Sequence, residues 1–387
     1  MKKKLILFAF TLGLISSACG QIRIENNSKT GKSEANISGD QLDEKKLRKD
    51  IGEMLMVGFR GTTQSNIEQH IIRDIQEYHI GGVLLFEYDA PTGRHKRNIS
   101  SASQTKQLCT YLQRMSAEPL LIAIDQEGGK VNRLKPSYGF PPIPSAEHMA
   151  STDSVVQYAQ INATNLSKLG INVNFAPCVD LNINPSCPVI GKLERSFGES
   201  PDMVIKYANQ WITEHNKVGV ISCLKHFPGH GSSKNDSHLG ITDVSKTWTA
   251  EELEPYQQLI AQGKVQMVMM SHIVNVNYAP EPASLAPVYY KILREDMNFK
   301  GVIITDDIAM GAIAKQFGHA EAIRLAITSG ADMICISNNG NSYDPEIVPK
   351  TIEIILEFVK SGQISSKQIT QSANRIRQLK KGLEKYK

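Results

Sequence analysis

Eight short apolar runs recur along the chain, each about the length of a strand. They are Leu55-Met56-Val57-Gly58-Phe59, Gly82-Val83-Leu84-Leu85-Phe86, Leu120-Leu121-Ile122-Ala123-Ile124, Val173-Asn174-Phe175-Ala176, Ile221-Ser222-Cys223-Leu224, Met267-Val268-Met269-Met270, Val302-Ile303-Ile304-Thr305 and Met333-Ile334-Cys335-Ile336. Between them lie helix-length stretches in which apolar positions return every three or four residues. Strands alternating with amphipathic helices predict parallel pairing, and eight such units predict a (β/α)8 TIM barrel. In the last helix Ile369, Ala373, Ile376, Leu379 and Leu383 form the apolar face, which leaves Arg375, Arg377 and Lys380 for water. A doubly wound open sheet is the competing architecture. It is disfavoured because no G-x-G-x-x-G follows the first run and the candidate polar groups follow many different strands. Only about fifty residues follow the eighth run, so the expectation is a single barrel over residues 42–387 with no second α/β sandwich domain.

In such a barrel the carboxyl ends of all strands converge on one mouth, which gathers residues far apart in sequence. The rule collects Asp125 after the third run, Lys225 and His226 after the fifth, His272 after the sixth and Asp306 after the seventh, with Arg195 arriving on the long excursion after the fourth. Two carboxylates, several cations and an imidazole around one cavity suit the recognition and cleavage of a polyhydroxylated substrate. Cleaving a glycosidic bond with retention needs a carboxylate held against the anomeric carbon and a second group that protonates the leaving oxygen. Asp306 is the candidate nucleophile, because it directly follows Val302, Ile303, Ile304 and Thr305, a stiff strand. Asp307 is the competing assignment, and capping of the following helix fits Asp307 better.

The stretch Lys225-His226-Phe227-Pro228-Gly229-His230-Gly231, followed by Asp236-Ser237-His238, reads as a loop leaving the fifth strand, dense in ionisable groups. His230 is expected to be loop architecture, and Glu127 is a reserve acid. A metal-dependent hydrolase built on His226, His230, Asp236 and His238 is disfavoured, because H-x3-H and D-x-H in a glycine-rich loop lack the helical H-E-x-x-H arrangement.

K-H-F-P-G-H-G-x4-D-S-H resembles the signature of bacterial β-N-acetylglucosaminidases of glycoside hydrolase family 3, the NagZ-like branch. Ile124-Asp125-Gln126-Glu127-Gly128-Gly129, Glu194-Arg195-Ser196-Phe197-Gly198 and Ile304-Thr305-Asp306-Asp307-Ile308-Ala309-Met310 match the same family in the expected order, and the similarity runs from about Leu47 to the C-terminus. The resemblance implies that Asp306 is the nucleophile, that His238 paired with Asp236 is the acid/base, and that Asp125, Arg133, Arg195, Lys225 and His226 bind the sugar. It also implies an N-acetylglucosamine-containing glycan as substrate, from peptidoglycan fragments, and no cofactor or metal. A neighbouring carboxylate favours the charged imidazole and fixes its tautomer, so the Asp236–His238 assignment is chemically reasonable. A phosphorylase that releases the sugar as its 1-phosphate is the near alternative, and a lipoprotein that binds glycans without cleaving them is the alternative of another class. For Asp125 and Arg195 the structural alternative is a buried ion pair.

The N-terminus changes the expected location. Lys2-Lys3-Lys4, an apolar stretch from Leu5 to Ile15 and small residues before Cys19 have the anatomy of a secretion signal over residues 1–18. Ser16-Ser17-Ala18 before Cys19 resembles a lipoprotein processing site, with plain secretion as the alternative. Residues 19–41 would then be a lipidated cysteine and a polar tether reaching on the order of 25 Å. The expectation is an exported, membrane-anchored monomer, in the periplasm or outer membrane of a Gram-negative bacterium. Losing Lys2, Lys3 and Lys4 takes the formal charge from +4 to +1, which offers no electrostatic case for nucleic acid. The five remaining cysteines contain no C-x-x-C, so they indicate neither a zinc site nor a disulfide framework. Pairing of Cys178 with Cys187 is left open.

Overall fold

The computed structural model describes residues 44–237 and 240–386. Cys19 and the leader and tether assigned to residues 1–41 lie outside the described residues. All eight predicted strands form: β1 (Leu55–Gly58), β2 (Gly82–Leu85), β3 (Leu121–Ile124), β4 (Val173–Asn174), β5 (Ile221–Phe227), β6 (Met267–Met270), β7 (Val302–Thr305) and β8 (Ile334–Ile336). They pair in parallel and in sequence order, and β1 pairs with β8 through Leu55↔Ile334, Met56↔Cys335 and Val57↔Ile336. The last seam, between β7 and β8, thins to one bridge, Ile304 with Met333, flanked by Thr305 N donating to Met333 O at 3.1 Å. The eight-stranded parallel sheet is therefore barrel-shaped. Helices cover its outside, so both faces of each strand are buried, which is why the strands read as apolar runs instead of alternating patterns.

Helix boundaries follow local chemistry. Ser101 and Ser200 cap the helices Ala102–Met115 and Pro201–Lys217 by accepting from the third amide beyond each, and Pro201 supplies a preset φ at the first helical position. Gly170, at φ 81°, ends the helix Val155–Leu169 in the left-handed conformation that a side chain disfavours. No described helix is long and apolar enough to cross a membrane.

The final helix, Ser366–Lys380, corrects the sequence reading. Ile369, Ala373 and Ile376 are buried as expected, but the three cations are not left to water alone: Lys380 is buried, and the part-exposed Arg375 and Arg377 reach buried carboxylates. Arg377 reaches Asp50 at 2.6 Å, Arg375 reaches Asp332 at 2.9 Å, and Lys380, 4% exposed, pairs with Glu53, 2% exposed. Asp332 also accepts from Ile303 N at 2.8 Å and pairs with Arg294, so this helix is bolted to the end of the barrel opposite the mouth. Amphipathic periodicity registers only apolar atoms, so it cannot see a cation whose partner is a buried aspartate on another element.

Removing one partner of such a pair strands a buried charge. Lys380→Ala should therefore lower the unfolding free energy by about 3–5 kcal/mol. The double change Lys380→Met with Glu53→Leu should recover most of that loss. Urea melts of the three proteins check this, and equal losses in single and double variants would contradict it.

Candidate active site

One cavity of about 380 Å³ opens at the carboxyl ends of the strands, lined by Asp125, Arg133, Arg195, Lys225, His226, Asp306 and Asp307 together with Phe86, Tyr88, Phe175 and Met269. Its floor is a chain of alternating charges. Lys225 Nζ lies 2.8 Å from Asp125 Oδ1 and 2.7 Å from Glu127 Oε1. Arg195 grips Glu127 through both oxygens, at 2.8 and 2.7 Å, and donates to Val189 O at 2.8 Å. Arg133 stands 3.5 Å from the other oxygen of Asp125, at the more open edge. Burial would raise both carboxyls, but the cations outweigh it. Lys225 and Arg133 bring Asp125 down to about 2, and Arg195 and Lys225 bring Glu127 down to about 2.

The backbone that carries these groups is fixed before any ligand arrives. Gln126 lies between the two acids. Its N–H donates to Asn174 Oδ1 at 3.0 Å, and its carbonyl accepts from Asn174 and Asn162 at 3.0 and 2.8 Å. Gly128, at φ 106°, leaves this segment where a Cβ would meet Pro144 O at 2.2 Å, so only glycine fits. Asp125 and Glu127 are two apart along extended backbone, so both face Lys225. The sequence reading held Glu127 as a reserve acid. Here it is an ionised counter-charge whose oxygens are taken up by Arg195 and Lys225.

Strand β5 also departs from expectation, because Lys225 and His226 belong to the strand and do not follow it. Regular alternation would send adjacent side chains to opposite faces. Against β6 the register slips: Leu224 pairs with Val268 and Phe227 with Met270, so Lys225 and His226 together oppose one residue. A bulge of this kind re-aims a side chain, and both residues line the cavity. The peptide between them is cis.

Asp180, which the sequence reading missed, governs His226. Its Oδ2 lies 2.7 Å from His226 Nδ1, and its Oδ1 accepts from His226 N at 3.2 Å and from His230 N at 2.8 Å. Arg195 Nη2 stands 3.1 Å from His226 Nε2, and a guanidinium can only donate. Nε2 therefore offers its lone pair and Nδ1 carries the hydrogen. Burial opposes ionisation of Asp180, but the His226 ring outweighs it and holds the carboxyl well below its usual range.

The segment after β5 lies directly on the one after β4: a Cβ on Gly231 would sit 1.6 Å from Leu181 O. His230 is loop architecture, as expected. Its nitrogens meet Ser233 Oγ at 2.8 Å and Ser237 Oγ at 3.0 Å, and burial takes its pKa down to about 4. Neither nitrogen is left for a metal. Glu252 accepts from Gly231 N at 3.1 Å, and burial lifts its pKa to about 7. Asp236 is half-buried at the far end of this loop. His238 lies outside the described residues.

Asp306 ends β7, with its N–H on Met270 O at 2.9 Å and its Oδ1 accepting from Asp307 N at 2.8 Å. Asp307 does not cap the following helix. Its Oδ1 accepts from Ala309 N at 3.1 Å and from Ser337 N at 2.9 Å, and Ser337 Oγ bonds its other oxygen, which ties the turn after β7 to the turn after β8. His272 braces the same turn by donating from Nε2 to Asp307 O at 3.0 Å. Arg195 does form a buried ion pair, with Glu127, while Asp125 is part-buried between Lys225 and Arg133. Cys178 and Cys187 are both free thiols.

Residues 46–379 match the glycosyl hydrolase family 3 N-terminal domain. A β-hexosaminidase of Xylella fastidiosa (strain M23) is 32% identical over 313 residues, which cover 78% of this chain and 87% of that protein. Among solved structures, a glycoside hydrolase family 3 β-N-acetylglucosaminidase from Paenibacillus superposes with a TM-score of 0.77 at 33% identity over 87% of this chain, and this chain spans 62% of that one. A β-N-acetylhexosaminidase from Beutenbergia cavernae gives a TM-score of 0.76 at 26% identity and is covered to 98%.

Glu252 yields a pH test. Its folded pKa is raised from 4.5 to about 7, so its contribution to stability is fully present below the unfolded value and is lost as pH rises through the folded one. Glu252→Gln keeps an oxygen for the Gly231 amide and has no proton to lose. Relative to wild type, its unfolding free energy should rise by up to about 3 kcal/mol between pH 4.5 and 7 and then level off. Denaturant melts at a series of pH values measure the difference, and a constant offset would exclude it.

Proposed function

This chain belongs to glycosyl hydrolase family 3 and is a glycoside hydrolase, and on that premise we propose that it is a retaining, exo-acting β-N-acetylglucosaminidase. The observation that carries the reading is the placement of Asp306 at the end of β7, in one cavity with the Asp125–Lys225–Glu127–Arg195 floor. The β-hexosaminidase and β-N-acetylglucosaminidase named above support the sugar's identity. In this reading Lys225, Asp125, Arg195, His226 and Arg133 hold the hydroxyls and the acetamido group of one terminal ring through charge-assisted bonds, which fixes the ring for attack.

Asp306 then attacks the anomeric carbon as the bond to the leaving oxygen breaks, and His238, charged and steadied by Asp236, gives that oxygen its proton. Water next loses a proton to His238 and attacks the same carbon, which frees Asp306 and delivers the sugar with retained configuration. Asp307 has its oxygens engaged by the Ser337 and Ala309 bonds, which disfavours it as nucleophile. Peptidoglycan fragments are the proposed source of the terminal sugar. Export with a lipid at Cys19 would bring the enzyme to them.

The test is nitrophenol release from the β-N-acetylglucosaminide and the β-glucoside, with and without phosphate. Wild type should turn over the acetamido sugar selectively and independently of phosphate, Asp306→Asn should abolish turnover, and His238→Ala should slow it by about 10²–10⁴-fold. A sugar 1-phosphate as product would make the enzyme a phosphorylase. A well-folded wild type inactive on both sugars would favour a glycan-binding protein.

A further inference from the structure

Cys178 and Asp180 sit on the extension of β4, where Cys178 bridges Lys225 and Val179 N donates to Lys225 O at 2.9 Å. Two apart on extended backbone, they point the same way, towards His226 on β5. Cys178 Sγ, Asp180 Oδ2 and His226 Nδ1 all lie within 4.8 Å of one another, and all three residues are buried. The thiol stands 3.1 Å from Oδ2, and Nδ1 stands 2.7 Å from the same oxygen. Two X–H groups thus converge on one carboxylate oxygen, the place where a cation would replace hydrogens.

We infer that Cys178, Asp180 and His226 form a binding site for one thiophilic divalent cation, Zn²⁺ or Cd²⁺, whose occupation inhibits the enzyme. One sulfur, one imidazole nitrogen and one carboxylate oxygen are a donor set these ions accept. Bond lengths of about 2.0 Å to nitrogen and oxygen and about 2.3 Å to sulfur, at a tetrahedral angle, require the donor pairs at 2.7 and 3.1 Å to separate by roughly half an ångström. Slack is at hand, because a void of about 10 Å³ lies against Cys178, bounded also by Glu127, Pro177, Arg195 and Trp211. The charges balance: a dication meeting one thiolate and one carboxylate leaves the buried cluster neutral, with a single proton, from the thiol, released to solvent. Access runs past His226, which lines the sugar cavity.

Inhibition follows from the tautomer. With Nδ1 bound to the cation, the neutral ring must carry its hydrogen on Nε2. That N–H would face Arg195 Nη2, a donor only 3.1 Å away. Two donors cannot share that contact, so the Arg195–His226 bond breaks and the cavity floor loses its arrangement. The same conflict opposes binding, so the affinity should be modest. The site is distinct from a catalytic metal centre, since no step of the proposed hydrolysis passes through it.

The binding arm of the test does not depend on the proposed function. Cd²⁺ titrated into full-length protein should produce the ultraviolet charge-transfer band of a Cd–thiolate bond at one equivalent, with one proton released per ion. Cys178→Ala and Cys178→Ser should each lack the band. The serine variant keeps a hydrogen bond to Asp180 and guards against a folding artefact. No band in wild type, or a band that survives in both folded variants through another cysteine, overturns the site. Zn²⁺ at saturation should suppress nitrophenol release at least about tenfold in wild type, reversibly with chelator, and leave Cys178→Ala within about twofold. Full activity of the metal-saturated wild type overturns the inhibition. A wild type inactive before any metal is added counts against the glycosidase reading instead.

Discussion

A charge taken out of water is tolerated only where an opposite charge and directed hydrogen bonds meet it, and Asp125, Lys225, Glu127 and Arg195 meet one another in series. Each is satisfied by a residue from a different loop or strand. The chain of pairs therefore holds together the segments after β3 and β4 and the end of β5. Removing one member would take a partner from each neighbour and leave the charges unbalanced, so the floor behaves as a unit. Because the carboxylates stay ionised, the cavity presents fixed charge to a ligand without rearrangement at the moment of binding, which is the condition under which polar contacts position a substrate most effectively.

The barrel supplies the rigidity that this network needs. Two backbone devices convert a parallel sheet into a site: the β5 bulge, which turns two adjacent side chains into the cavity, and the Gln126–Asn174–Asn162 bonds, which lock the segment carrying both acids. Both are polar or irregular features on an otherwise apolar scaffold. The opposite end of the barrel repeats the physics for a different purpose, with Asp50, Asp332 and Glu53 buried against Arg377, Arg375 and Lys380 of the last helix. One end spends its ion pairs on closing the fold and the other on facing a ligand.

The eight strands were legible because strands buried on both faces are continuous apolar runs, and the mouth was legible because barrel topology gathers strand ends regardless of sequence distance. Asp125, Lys225, His226, Arg195 and Asp306 were found that way and do line one cavity. Partners were harder to read. Asp180 sits in Cys178-Val179-Asp180-Leu181, which resembles any strand end, and its role depends on a backbone turn forty-six residues away that no periodicity encodes. A carboxylate four residues past the run ending at Ala176, close to the three that separate Glu127 from Ile124, was the one signal that pointed to it. Arg375, Arg377 and Lys380 were misread for the same reason: helical phase reports which face a residue occupies, not how far a long side chain can reach to a buried anion.

The division of labour between strand and loop follows from what each proposed group must do. A nucleophile has to meet one carbon at one distance, and Asp306 is placed for that, its own backbone bonded to β6 and its turn braced by Asp307, Ser337 and His272. A proton carrier has to serve a departing oxygen first and an arriving water afterwards, which calls for a group that can adjust. The loop after β5 carries Asp236, the partner proposed for that carrier. It is clamped to the body through Asp180, Glu252 and the His230–Ser233–Ser237 bridge, a span that includes Asp236. Asp180 stands at the junction, gripping the strand at His226 and the loop at His230, so the orientation of the cavity-facing imidazole and the root of the loop are set by one carboxylate. A perturbation at Asp180 would therefore reach the cavity-lining imidazole and the loop that carries Asp236 together, although Asp180 itself lies behind the cavity wall.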